Sequence, residues 1–307
     1  MTIARRLASV LGAPRNLEKV VDSNFLQTEG LRTYLSASPN NRIILTDYAA
    51  MEAYKGDTLK SIHRSMEILS QFPKQVSVLK ATQTLCSLTG HAAALRKSLI
   101  DDTQTREFAQ YCGLLHMAER GDQSLQKQLL EHGEAATAHM DRMLQDMPTL
   151  SSGLALMAKD FSPAEVVLMR KEKGFPQELH RKLIEHVLLL TSDFFREHPS
   201  SPKPPSGSEI RDTFIFRYAL CSYILFLKSI ETGGPPKANR KKLRNDVVDV
   251  HFAAVATYFD GLLTNDSLPA TIHADAKLLL GEVFAAPPKW LRLFLSLGGL
   301  SRKLNVT

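Results

Sequence analysis

The sequence has few cysteines and none of the common metal- or nucleotide-binding signatures. Its three cysteines, Cys86, Cys112 and Cys221, are odd in number, far apart and without a CxxC pair, which argues against a disulfide framework and a zinc knuckle. No HExxH, Walker, GxGxxG or GxSxG string occurs, so zinc hydrolysis and serine-nucleophile chemistry have no support. We therefore expect buried thiols in a reducing compartment, and hence a cytoplasmic protein.

Long apolar runs are also missing. The longest, residues 214–227, is short of the ~20 residues of a membrane span and contains Arg217. The basic N-terminal segment lacks the apolar core of a secretory signal, so an ordinary helix is favoured over a transit peptide. The 307 residues are 44% hydrophobic and 23% charged, as in globular proteins of about two domains. The net charge of +6 suits an anionic partner such as nucleic acid.

The order of strand and helix signals indicates an α/β chain. Short apolar runs predict buried strands at residues 18–22, 42–46 and 261–264. Residues 29–36 have helical spacing. Asp47 is expected to be the N-cap of a helix that contains Glu52 and ends at Gly56. Residues 76–79 fit either another strand or the start of a helix.

The middle of the chain is predicted to be mostly helical. Amphipathic patterns cover residues 58–71, 90–100, 104–119, 122–146, 162–172 and 176–196. Residues 198–207 are rich in Pro and Ser and are interpreted as a linker between two helices rather than two domains. A nearly all-apolar helix over residues 209–230 follows and is expected to be buried. Further helices are predicted at residues 246–259, 271–284 and 288–297.

Four acidic residues lie at the end of a predicted strand or in a helix beside one. They are Asp22, Glu52, Asp249 and Asp266. In open α/β sheets ligands bind outside the carboxyl ends of the strands, so we expect these acids to share one site. Carboxylate oxygens suit Mg²⁺ and Mn²⁺, hard cations that need few protein ligands because they keep several waters. The sequence therefore predicts an acidic cation site without His or Cys.

The strings around these acids resemble the four motifs of the PIN-domain nucleases, the family of the VapC-type toxins. They are VVDSN with Asp22, ILTDYAAMEAYKG with Glu52, DVHFAAVA from Asp249, and LLTND ending at Asp266. Asp22 and Glu52 are 30 residues apart and Asp249 and Asp266 are 17 apart, separations similar to the family's. Glu52 and Asp249 are separated by 197 residues, more than a compact PIN domain needs.

The resemblance implies a PIN-like α/β/α sandwich with a parallel sheet. Residues 1–57 and 236–307 would form it, with residues 58–235 as a mostly helical insertion. The implied activity is endonucleolytic hydrolysis of phosphodiester bonds, usually in RNA, with Mg²⁺ or Mn²⁺ stabilising the reacting oxygens and lowering the pKa of a bound water. A toxin or antiphage effector, an inhibitory protein partner or a homo-oligomer, and no membrane attachment fit the same resemblance.

The resemblance also assigns roles to single residues. The implied direct ligands are Asp22, Asp249 and Asp266, and Glu52 is either a ligand or orients the attacking water. Ser23, Asn24 and Thr264 are expected to hold the ligating carboxylates by hydrogen bonds. Asp246 lies three residues before Asp249 and is either an extra metal ligand or the N-cap of the predicted helix.

A basic run precedes the third motif. Its members are Lys237, Arg240, Lys241, Lys242 and Arg244. The run is either a phosphate-contacting edge of the site, since Lys and Arg supply most sequence-independent affinity for nucleic acid, or a solvated loop. Arg211 and Arg217, on the apolar helix, either point at the site or pair with an acid.

Three functions are compatible with these features. The favoured one is a Mg²⁺- or Mn²⁺-dependent endoribonuclease. The alternatives are a non-catalytic PIN-like scaffold that presents the insertion to another protein, and a structure-specific DNA nuclease that uses the same acids. RNA and DNA share the phosphate on which such a site acts, so the acids do not distinguish them.

Overall fold

A computed structural model describes residues 17–170, 176–200, 202–205, 207, 209–231 and 240–284. Within these ranges the protein is mostly helical, with a small sheet of four strands that are all parallel. The prediction of an α/β chain is confirmed at this level. The basic N-terminal segment and the helix predicted at residues 288–297 lie outside the described residues.

The elements follow the predicted order. The strands are β1 (Leu17–Val21), β2 (Asn41–Leu45), β3 (Val76–Val78) and β4 (Gly261–Leu263). The first six helices are α1 (Glu29–Ala37), α2 (Asp47–Ala53), α3 (Thr58–Gln71), α4 (Thr82–Ser87), α5 (Ala92–Ser98) and α6 (Asp102–Glu119). The others are α7 (Gln123–Lys159), α8 (Pro163–Arg170), α9 (Gln177–Glu197), α10 (Phe214–Glu231), α11 (Arg240–Ala256) and α12 (Ser267–Glu282). Short 3-10 turns cover Ser23–Phe25, Pro73–Gln75 and Ile210–Asp212.

The sheet has the strand order β3-β2-β1-β4. Its two central strands carry the apolar pairs Val20–Val21 and Ile43–Ile44, all without exposed surface, as expected where both faces of a parallel sheet are covered. Val20 lies opposite Ile44 in β2, and Val21 lies opposite Leu263 in β4. Residues 76–78 form a strand beside β2, which decides between the two structures that the sequence left open there.

The chain divides into two compact units. The first contains residues 17–79, Ile100–Glu134 and Phe259–Asn265, and therefore the whole sheet. In it α1 packs against β2, and α6 packs against β3 and α3. The elements β3, α3 and α6 come from residues 58–235, which the sequence assigned to a helical insertion. The sheet-bearing unit thus includes residues from both of the predicted parts.

The second unit contains the described residues of Lys80–Leu99, Ala135–Tyr258 and the segment from Asp266 onwards. At its centre lies α10, the predicted apolar helix, which packs against α8, α9, α11 and α12. Its side chains Phe216, Tyr223 and Phe226 are almost fully buried. The Pro-rich linker lies between α9 and α10, both within this unit, so it separates two helices as predicted.

The cysteine prediction also agrees with the structure. All three cysteines are free thiols; Cys112 and Cys221 are buried, and Cys86 is partly buried. Burial raises the pKa of the Cys112 thiol to about 11. Among the helices in the described part of the chain, none has the length and apolarity needed to cross a lipid bilayer.

Several predicted helix starts are wrong, since α10 begins at Phe214 rather than at residue 209, and α12 begins at Ser267 rather than at residue 271. The N-cap of α2 is Thr46, whose hydroxyl accepts a hydrogen bond from the Ala49 amide at 3.1 Å, and Asp47 is the first helical residue. Helix α11 begins at Arg240 rather than at Asp246, because Lys, Leu and Arg are good helix formers and extend the helix through the basic run. Asp246 is therefore not an N-cap, and residues 240–244 are helical rather than a loop.

A candidate acidic active site at the sheet edge

Three strand ends meet at the carboxyl edge of the sheet in the first unit. Asp22 directly follows β1, helix α2 follows β2, and Thr264 follows β4. Because β1 lies between β2 and β4, these three ends are adjacent. The Asp22 amide donates a hydrogen bond to the Leu263 carbonyl at 3.0 Å, which extends the β1–β4 pairing by one residue and fixes the backbone of Asp22 at the edge.

Asp22 is buried, with 1% of its surface exposed. Its Oδ1 lies 3.3 Å from the Ser23 hydroxyl oxygen and accepts a hydrogen bond from the Asn24 amide at 3.4 Å. Its Oδ2 accepts one from the Thr264 hydroxyl at 2.7 Å. The three residues predicted to hold the ligating carboxylates are thus all in contact with Asp22, with Asn24 acting through its backbone.

Glu52 joins the same group from α2. The Ser23 hydroxyl lies 2.5 Å from Glu52 Oε2. A serine hydroxyl has a single proton, and the shorter bond directs it to Glu52. Ser23 therefore donates to Glu52 while its oxygen lies 3.3 Å from Asp22 Oδ1, so one serine contacts both carboxylates, although they are 30 residues apart in the chain. We call Asp22, Ser23, Glu52 and Thr264 the acid cluster.

A lysine that the sequence analysis missed lies beside the acid cluster. Lys55 Nζ is 3.8 Å from Glu52 Oε1. The Lys55 side chain is 57% exposed, whereas that of Glu52 is 14% exposed. The signal was present in the second motif string, which places Lys55 three residues after Glu52 and directly before Gly56, so that it lies in the turn at the end of α2.

The other predicted acids belong to the second unit. Asp249 is half-buried on α11, and Asp266 is exposed at the N-cap position of α12. Asp246 is buried inside α11; burial raises the pKa of its carboxyl, and the nearby charge of Lys242 opposes that shift. The convergence of these acids with the acid cluster stays a prediction.

The basic run differs along its length. Lys241 and Lys242 are exposed on α11, so their ammonium groups are accessible to an anionic partner. Arg244 is 8% exposed and donates to Asn245 Oδ1 at 3.2 Å. Lys237 and the side chain of Arg240 lie outside the part of the chain that the structure describes.

Arg211 and Arg217 both lie beside an acid, one of the two alternatives that the sequence left open, and Arg211 is in the 3-10 turn before α10 rather than on the helix. Arg217 Nη2 lies 3.7 Å from Asp212 Oδ1, and Arg211 Nε lies 4.0 Å from the same oxygen. His91 Nδ1 is 3.5 Å from Asp212 Oδ2. The Arg217 guanidinium also lies 3.7 Å from the centre of the Tyr258 ring. We call Asp212, His91, Arg211, Arg217 and Tyr258 the Asp212 cluster; all of them are in the second unit.

The donor atoms of the acid cluster suit a hard divalent cation. They are carboxylate and hydroxyl oxygens, and Mg²⁺ in proteins is commonly bound by one or two carboxylates while it keeps several waters. In the described ranges no group of three or more His, Cys, Asp or Glu side chains could hold a metal ion. The acid cluster therefore suits a cation that is bound by Asp22 and Glu52 and keeps water at its other coordination positions.

Comparison with known proteins gave no matching family model, no similar curated protein and no similar solved structure. The likeness to PIN-domain nucleases therefore stays an interpretation of the four motifs. The geometry of the acid cluster is a separate observation.

Proposed function

We propose that this protein is a Mg²⁺- or Mn²⁺-dependent endoribonuclease with a PIN-like fold. The observation that carries the proposal is the hydrogen-bonded acid cluster. Asp22 and Ser23 come from the first motif, Glu52 from the second and Thr264 from the fourth. Three motifs that are distant in sequence thus contribute to one group of oxygens at the carboxyl edge of a parallel sheet, where α/β proteins bind their ligands.

The hydroxyl groups suit this role because they orient the carboxylates without neutralising them. Thr264 fixes one oxygen of Asp22, and Ser23 fixes Glu52 Oε2. In metal sites, such hydrogen bonds orient the ligands and raise their affinity for the ion. Asp22 and Glu52 would hold the ion. When bound, it stabilises the charge on the phosphate and lowers the pKa of the attacking water.

The remaining roles follow from the sequence motifs. Asp249 and Asp266 are proposed as further ligands. Asp246 is not an N-cap. Its carboxyl is therefore either an extra metal ligand or a buried group with a purely structural role. Lys241 and Lys242 are proposed contacts to the nucleic acid, with RNA favoured over DNA. A role as a toxin or antiphage effector with an inhibitory protein partner belongs to the same proposal.

A cleavage assay tests the proposal. Labelled RNA and single-stranded DNA are incubated with the full chain in Mn²⁺, Mg²⁺ or EDTA, beside the variants Asp22→Asn and Asp249→Asn. We expect metal-dependent cutting of RNA by the wild type, and loss of cutting in both variants. Asp57→Asn is the matched control, because Asp57 is an acid of the first unit that caps α3, and Asn caps helices equally well.

The outcomes separate the three functions. Cutting of DNA but not RNA would favour the DNA nuclease. No cutting by a folded wild type that also binds no Mn²⁺ in a calorimetric titration would contradict the proposal and favour the scaffold. Cutting that survives Asp22→Asn would show that the acid cluster is not the active site.

A further inference from the structure

Lys55 lies in the turn that follows α2, at the mouth of the acid cluster. Its ammonium is 3.8 Å from Glu52 Oε1. The more buried carboxylate of Glu52 thus faces the cluster, while most of the lysine side chain faces solvent. Lys55 is therefore a cation next to Glu52 that an approaching ligand can reach.

The backbone of Lys55 is fixed, although its side chain is exposed. Its amide donates to the Glu52 carbonyl at 3.0 Å, and its carbonyl accepts a hydrogen bond from the Ser61 hydroxyl at 2.6 Å. Gly56 follows with a φ of 91°, a conformation that favours glycine. The turn therefore fixes the position of the Lys55 Cα, while the four-carbon side chain can change its rotamer and contact a ligand.

The ion pair with Glu52 holds the lysine only weakly. Lys55 lies beyond the end of α2, its ammonium is 3.8 Å from Glu52 Oε1, which is longer than a hydrogen bond, and its side chain is 57% exposed, so water screens the pair. An ammonium group is a compact charge that binds phosphate without regard to base identity. A phosphate placed beside the acid cluster can therefore draw Lys55 away from Glu52 at little energetic cost.

We propose that Lys55 contacts a backbone phosphate of the strand bound at the acid cluster. This inference rests on the proposed function, and makes Lys55 a positioning residue that binds the strand independently of sequence. The chain offers a matched control in Lys60, which is 85% exposed and pairs with Asp57 three residues away at 3.0 Å. Lys55→Met and Lys60→Met each remove one exposed lysine charge that is paired with an acid three residues earlier.

The test measures binding of a labelled single-stranded RNA to the full chain by fluorescence anisotropy in EDTA at several salt concentrations. We expect Lys55→Met to weaken binding about three- to tenfold at low salt and to reduce the slope of log K against log salt by about 0.7. Lys60→Met should stay within about twofold of the wild type. Lys55→Arg should recover most of the affinity.

A second comparison removes the alternative that Lys55 only neutralises Glu52. In a Glu52→Gln background there is no carboxylate to neutralise, so a phosphate contact predicts that Lys55→Met still weakens binding. Loss of the effect in that background, or equal effects of Lys55→Met and Lys60→Met, would overturn the inference about Lys55. A wild type that neither binds nor cuts RNA would instead contradict the proposed function, and the inference with it.

Kinetics give an independent readout in Mn²⁺. A contact made equally in the bound and transition states raises KM and leaves kcat nearly unchanged. We expect this pattern for Lys55→Met, with KM raised about three- to tenfold. An equal fall in kcat and kcat/KM at unchanged KM would contradict the proposed positioning role.

Discussion

The acid cluster and the Asp212 cluster are both built around a buried aspartate, but they hold it differently. In the first unit, Asp22 accepts a hydrogen bond from the Thr264 hydroxyl and lies beside the Ser23 hydroxyl. In the second unit, Asp212 lies beside the cations Arg217 and Arg211. Hydroxyl donors orient a carboxylate and leave its charge, whereas guanidinium groups neutralise it.

This difference distinguishes a functional carboxylate from a structural one. A buried ion pair makes each charge necessary to the other, so the loss of either partner leaves an uncompensated buried charge. A second acid beside the first, as Glu52 stands beside Asp22 through Ser23, concentrates negative charge instead. Binding of a cation therefore stabilises such a pair of carboxylates more than it stabilises a carboxylate already paired with arginines. The comparison therefore predicts stability effects in one unit and activity effects in the other.

The largest effect on stability is expected in the Asp212 cluster. Arg217→Met should lower the free energy of unfolding by about 3–5 kcal/mol, since it leaves Asp212 buried without its closest guanidinium. Asp22→Asn should change it by about 1 kcal/mol or less, because Asn keeps an oxygen acceptor and the Thr264 hydroxyl can rotate to accept from the amide. Urea denaturation measures both. A larger loss of unfolding free energy for Asp22→Asn than for Arg217→Met would contradict the proposed difference between the two clusters.

For activity we expect the opposite order, with larger losses from variants of the acid cluster than from variants of the Asp212 cluster. Asp22→Asn and Glu52→Gln should each reduce metal-dependent cleavage by more than about 100-fold, because loss of a ligand exceeds the 10- to 100-fold effect of losing a group that orients it. Asp212→Asn should reduce cleavage only as far as it lowers the folded fraction. Rates are compared per folded molecule, with folding checked by circular dichroism.

Smaller losses are expected when the orienting hydroxyls are removed. Ser23→Ala and Thr264→Val should each weaken Mn²⁺ binding about 10- to 100-fold, because the carboxylates lose the groups that orient them. Thr271→Val is the matched control; its exposed hydroxyl donates to the Ser267 carbonyl of α12. Titration calorimetry with Mn²⁺ alone gives the affinities. Equal affinity of Ser23→Ala and the wild type would remove Ser23 from the site.

The smallest expected effect is a pH dependence of the stability of the second unit. Burial lowers the pKa of His186, and the nearby Asp160 carboxylate opposes that shift. The folded state therefore favours neutral His186, whose contribution to stability is complete above the unfolded pKa of about 6.5 and decreases as pH falls through the lowered folded value. Thermal unfolding at about pH 7.5 and 5.5 should show this decrease in the wild type and a smaller one in His186→Gln. Equal decreases would exclude His186 as the cause.

Much of the fold was predictable because its signals are local. The apolar runs of β1, β2 and β4 and the amphipathic pattern of α3 each specify an element within a few residues. Residues 76–78 fitted two structures from the sequence alone, and they form a strand because their backbone pairs with that of β2. The predicted starts of α2 and α11 were wrong: the Thr46 hydroxyl caps α2 in place of Asp47, and α11 already includes the basic residues from Arg240.

The candidate site was predictable only in part. Strand-terminal acids identified Asp22, and the second motif identified Glu52, because each string combines a strand end with an acidic residue. Their connection through Ser23 could not be read from the sequence, since a hydroxyl bridge depends on distances of a few tenths of an ångström. The charge of Lys55 was visible, but its orientation towards Glu52 was not.

By itself the sequence determined the order of the elements, the burial of α10 and the places where acids follow strands, because hydrophobic period and turn chemistry act over a few residues. Tertiary structure alone decided that the chain forms two units whose boundaries cut across the predicted insertion. It also decided which acids meet hydroxyls and which meet arginines. These outcomes depend on contacts between residues far apart in the chain, such as Asp22 with Thr264, and no local pattern specifies them.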